Sequence, residues 1–110
     1  MSDKLLVIIA TENKPKALTA LMYAGAAIRN EWLENVKVIY FGPIEQLIAT
    51  DTEVANAAIE LAAKSETYAC KAISDREGIS EKMDEMGIKV EYVGSIISDF
   101  IKQGYTPMVW

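Results

Sequence analysis

The chain has 110 residues, 51% hydrophobic and 25% charged, with a formal net charge of −5. That balance predicts a folded globular chain with a core of its own, organised as a single domain over residues 1–110. The 11 basic residues are scattered and form no stripe, so no direct nucleic-acid partner is expected.

With no histidine and one cysteine, Cys70, the chain cannot build the usual Cys/His zinc site, a Ser-His or Cys-His nucleophile pair, or an internal disulfide. The 16 acids follow no calcium-loop pattern and mostly recur at helical spacing, which reads as solvated helix faces. No metal and no cofactor are expected. The longest apolar run, Ala20 to Ile28 counting Gly25, is too short to span a bilayer. The first strand begins without a basic leader, so no membrane partner and a cytoplasmic location are expected. A lone thiol agrees with a reducing compartment.

Lys4 to Ala10 is a continuous apolar run with the look of a strand buried on both faces. Pro15 suits the first turn of a helix that should run to about Trp32, and Ala17 to Ile28 is apolar nearly all round. Val36 to Phe41 reads as the second strand, closed by Gly42-Pro43. A short helix over Ile44 to Ala49 should precede a longer one capped by Asp51 or Thr52. The third strand ends on Cys70. Two helical pieces broken at Gly78 and capped at Gly87 lead to a fourth strand, Lys89 to Val93. Gly94-Ser95 opens a last helix, and Tyr105 to Trp110 is the fifth strand.

Strands that alternate with helices predict an α/β fold, three layers deep, with a parallel sheet. Pro107 cannot donate to a ladder, which sends the fifth strand to an edge, and the charge-alternating fourth strand suits the other edge. The expected order is 4-3-2-1-5, against the flavodoxin order 2-1-3-4-5, which would put the apolar second strand outside. Right-handed crossovers then leave only the last helix on one face. That thin face, the apolar first helix and Trp110 together predict a homo-oligomer.

The chemistry is expected at Ser65 to Arg76, where a strand ends on Cys70 and the period changes at once to that of a helix. This edge of a parallel sheet is where ligands usually sit, and Lys71, Arg76 and the helix start would favour a thiolate. An inert packing cysteine would occupy the same position equally well. Gly42, Pro43, Tyr92 and Gly94 end the flanking strands and should form a rim around the thiol. The loop after the first strand, Thr11 to Lys16, lacks the glycines that nucleotide binding needs there, and Lys14 and Lys16 read as surface lysines. Thr67-Tyr-Ala-Cys70 has a peroxiredoxin-like spacing but not the preceding proline, so it reads as chance.

Phe41-Gly-Pro43, Tyr68-Ala-Cys70-Lys-Ala and Gly87-Ile-x-Val-Glu-Tyr-Val-Gly94, in this order and spacing, resemble the single-domain DsrE/DsrF-like proteins over nearly the whole chain. The resemblance implies the same strand order and homo-oligomers, often trimers or hexamers. It also implies, at the position of Cys70, a cysteine that carries sulfane sulfur as a persulfide in sulfur oxidation or transfer-RNA thiolation. Sulfur donor and acceptor proteins would be its partners, with Thr11, Asn13 and Tyr92 lining the approach. The alternatives are a non-catalytic oligomeric subunit or binding module whose cysteine packs, and a one-cysteine thiol peroxidase.

Overall fold

The computed structural model describes residues 3–110. Five strands, β1 (Lys4–Ile9), β2 (Asn35–Tyr40), β3 (Thr67–Cys70), β4 (Lys89–Glu91) and β5 (Thr106–Val109), form one parallel sheet in the order β4-β3-β2-β1-β5. This is the order expected from Pro107 and from the charge alternation of the fourth strand. Val7 stands beside Val38 and Val38 beside Thr67, so the apolar centres of β1 and β2 lie in the middle of the sheet.

Side chains alternate between the two faces of a strand, and the two faces of this sheet are covered unequally. Leu5, Val7, Ile9, Val36, Val38 and Tyr40 join one core cluster with α1 (Lys14–Arg29), α2 (Ile44–Thr50), α3 (Thr52–Ala62) and, through Met83, α5 (Ser80–Glu85). Leu6, Ile39, Tyr68 and Cys70 point the other way. They form a smaller cluster whose one long helix is α6 (Val93–Lys102). Right-handed crossovers account for the asymmetry: three successive steps in one direction along the sheet keep their helices on one side, and the return from β4 to β5 crosses on the other. Between β3 and α5 lies the seven-residue α4 (Lys71–Glu77), which touches both sides, with Ser74 buried on one and Ile73 packed on the other.

Helix boundaries follow local hydrogen bonding. Asn13 caps α1 by accepting from the Lys16 N–H at 3.0 Å, and Asp51 caps α3 by accepting from Val54 at 3.0 Å. Lys14 reaches back to Asp51 and Glu53 at 3.0 and 3.1 Å, so the acids near this lysine are the chain's own. The first helix stops at Arg29, short of the expected Trp32. Glu31 adopts a left-handed φ of 54°, and the N–H groups of Trp32 and Glu31 turn back to the carbonyls of Ala27 and Ile28. This is a Schellman closure with glutamate in the place glycine usually holds. Gly78, with φ 70°, ends α4 as the break expected there.

The fourth strand is shorter than expected, because Val93 turns inward as the first residue of α6 and is buried. At the amino-terminal ends of β2, β3 and β4, Glu66 accepts from Lys37 at 2.8 Å, from Lys89 at 2.9 Å and from the Tyr68 hydroxyl at 2.8 Å. These donors, Lys37 foremost, hold its carboxyl down at about 2. The cluster fastens the end of the sheet opposite the candidate site. No helix among the described residues is long and apolar enough to cross a membrane.

Candidate functional site

Cys70 is the last residue of β3 and the residue from which α4 springs, with φ −66° and ψ 118°. Its place at the carboxyl edge of the sheet, beside Glu91 of β4, is the one expected. Its environment is more closed than expected. The residue is 7% exposed and belongs to the cluster of Leu6, Ile39, Tyr68, Val93 and Tyr105, against which Ile73, Ile96, Ile97 and Phe100 pack. The apolar face of α6 therefore roofs the thiol.

The two cations expected to stabilise a thiolate are engaged elsewhere. Lys71 Nζ lies 3.1 Å from Asp75 one turn along α4, and this hydrogen bond raises the ammonium's pKa. Arg76 is exposed, with Nε 3.7 Å from Glu77. A seven-residue helix adds only a weak end charge. Each of the two cations thus has a carboxylate of α4 beside it.

The rim residues separate into two groups. Gly42, Pro43 and Arg76 come together, with Glu12, Gln46, Thr50, Ile73 and Glu77, around an open cleft of about 430 Å³ between α2 and α4. Gly42 has φ 134°, and a Cβ there would meet the Ala10 carbonyl oxygen at 3.3 Å, so the turn that closes β2 requires glycine on both counts. Thr11 and Asn13 are spent on local structure: the Thr11 hydroxyl accepts from the Asn13 N–H at 3.0 Å, and Asn13 caps α1. Tyr92 is exposed at the start of α6, and Gly94 has open space where a side chain would go. Neither lines that cleft, and neither does Cys70.

One residue of this edge was not anticipated. Glu45, in the first turn of α2, is fully buried, the one charged side chain with no exposure among the described residues. Its carboxylate accepts from the Ser74 hydroxyl at 2.5 Å and from the Gly42 N–H at 3.2 Å. Burial pushes the carboxyl up, while those donors and the Arg76 charge pull it back. The solvated-face reading of the acids fails here. The available signal was an acid placed three residues after Gly42, at the spacing that lets a first-turn carboxylate reach back to a backbone N–H.

Neither a protein-family model nor a curated protein matches the sequence. One solved structure does: a conserved protein of unknown function from Bacteroides thetaiotaomicron, 25% identical, with a TM-score of 0.91 over 98% of this chain and 95% of that one. The fold is therefore one that a second protein shares nearly end to end.

Proposed function

We propose that this chain is a sulfur carrier of the DsrE-like kind, holding sulfane sulfur as a persulfide on Cys70. The observation that carries the reading is the position of the single thiol, at the carboxyl end of an inner strand of a parallel sheet, where that strand passes directly into a helix. The resemblance in the motifs around Gly42, Cys70 and Gly94 supports the same residue. In the forward step the Cys70 thiolate attacks the outer sulfur of a donor persulfide; a Cys70–S–SH bond forms, the donor S–S bond breaks, and the donor leaves as a thiolate. An acceptor thiolate reverses the exchange and regenerates Cys70. A chain with one cysteine cannot close an internal disulfide, whereas a relay needs one sulfur only.

The resemblance and the exposed apolar residues support a homo-oligomer, trimer or hexamer. On the α6 side, Phe41, Tyr92, Ile101 and Val109 are exposed, and the last of these shares a sheet face with Ile8. Sedimentation at micromolar concentration should give a multiple of the 12.1 kDa chain; a 12.1 kDa species alone ends this part of the reading.

A second reading rests on a specific observation. The enclosure of Cys70 under α6, with Lys71 and Arg76 paired to acids, favours a packing cysteine in a non-catalytic oligomeric subunit. Incubation with polysulfide, followed by intact mass, separates the two. The carrier gains one sulfur atom per chain and Cys70→Ser gains none; the packing subunit gains none in either form. A peroxide-dependent gain of oxygen with turnover would point instead to a one-cysteine peroxidase.

A further inference from the structure

We infer that the cleft between α2 and α4 is a binding site for a small α-amino acid, one with a cationic side chain by preference. The site stands apart from the chemistry of Cys70, which does not line it. Its position is the first observation. Glu12 follows β1, Gly42 and Pro43 follow β2, and Ile73, Arg76 and Glu77 belong to the helix that follows β3, so the cleft opens outside the carboxyl ends of three adjacent strands. Open parallel sheets bind their ligands along this edge, and a volume of about 430 Å³ lies within the range of small-molecule sites.

The two walls are also tied together. Glu45, fully buried, accepts from the Gly42 N–H at 3.2 Å and from the hydroxyl of Ser74, on α4, at 2.5 Å. One carboxylate thereby joins the turn after β2 to the helix that carries Ile73, Arg76 and Glu77. An apolar side chain would avoid the cost of burying that charge but could not make the tie. Walls held in place before a ligand arrives lose less freedom when it binds.

The third observation is which polar groups the fold leaves over. The Thr50 hydroxyl is spent on the Gln46 carbonyl at 2.8 Å. The Glu12 carboxylate and the Gln46 amide have no hydrogen-bond or ion-pair partner among the described residues. Arg76 meets Glu77 through Nε at 3.7 Å, longer than a hydrogen bond, so the guanidinium keeps its donors for another acceptor. A guanidinium fork matches a carboxylate, and the carboxylates of Glu12 and Glu77 match ammonium groups. Leu47 and Ile73 are the apolar part of the lining, suited to an aliphatic stem. The lining therefore complements one carboxylate and two cationic groups on a short aliphatic chain, which is a basic amino acid such as lysine.

The test is titration of the ¹⁵N-labelled chain with L-lysine, followed through amide chemical shifts, with leucine, cadaverine and glutamate for comparison. Lysine should shift residues 42–50 and 73–77 saturably, with a Kd of about 1 mM or tighter, as a ligand of about ten heavy atoms can reach. Leucine, without the second cation, and cadaverine, without the carboxylate, should each bind more weakly, and glutamate most weakly of the four. Arg76→Gln, an exposed substitution, should weaken lysine about tenfold, the worth of a hydrogen bond to a charged group. Glu53→Gln, an acid paired with Lys14 and not in the lining, should bind lysine as the wild type does, and so should Cys70→Ser. Shifts still rising linearly at ~10 mM lysine, shifts confined to other residues, equal binding of all four compounds, or a response that Arg76→Gln leaves intact would each overturn the assignment.

Discussion

Phe100→Ala is expected to destabilise the fold by ~2–4 kcal/mol, somewhat below the cost of deleting a fully buried ring, and to unmask Cys70 at the same time. Phe100 projects from α6 between Tyr105, with ring centroids 4.9 Å apart, and Tyr68, at 6.0 Å in an edge-on arrangement. Aromatic contacts of this geometry add to simple burial. More important is how little else covers this side of the sheet: α6 is its one long helix, so a void under that helix cannot be absorbed by neighbours. If α6 is what shields the thiol, loosening it by even part of that energy should raise the alkylation rate of Cys70 about tenfold, the factor that corresponds to ~1.4 kcal/mol of lost protection. Urea denaturation gives the first quantity and alkylation below the transition gives the second. A destabilised variant whose Cys70 reacts no faster would mean that something other than α6 controls access.

Glu45→Ala should cost as much or more, ~3 kcal/mol, by a different physical route. Truncation leaves the Gly42 N–H and the Ser74 hydroxyl without their acceptor, and unpaired buried donors cost ~1–3 kcal/mol each; escape from burying a carboxylate offsets part of the sum. The sign of the pH dependence follows from the direction of the shift. Because burial raises the Glu45 carboxyl in the folded chain, its ionised form is the unfavourable one. The handicap is absent below the unfolded pKa and develops as pH rises through the folded one. The gap in stability between wild type and Glu45→Ala should therefore be narrower at neutral pH than near pH 5. A difference under about 0.5 kcal/mol in urea midpoints, the range of an ordinary surface substitution, would show that water or a shifted backbone replaces the carboxylate at no cost.

Much of the architecture could be read from residues acting through backbone chemistry. Pro107 lacks an N–H, so β5 had to be an edge, and the polar alternation of β4 marked the opposite edge. From that order and the handedness of crossovers followed the single helix on one face, and with it the thin cover over Cys70. What the sequence hid depends on side-chain direction in three dimensions. Lys71 and Arg76 stand near Cys70 in sequence, yet the turn of the same short helix sets Asp75 3.1 Å from Lys71 and Glu77 3.7 Å from Arg76. Thr11 and Asn13 carry groups suited to a ligand, but a loop that must turn into α1 uses both within itself. Glu45 was missed for the opposite reason. An acid in the first turn of a helix says solvated surface, and only the meeting of α2 with α4 across the sheet edge brings the Ser74 hydroxyl to it, beside the Gly42 N–H of its own turn.

The measurement that bears most directly on the carrier reading is the intact mass of the folded chain after incubation with polysulfide and removal of excess reagent. The account predicts one additional sulfur atom per chain, reversed by a thiol reductant and missing in Cys70→Ser. An unchanged mass, under conditions in which a small free thiol takes up sulfur, would contradict it and leave Cys70 a packing residue beneath α6.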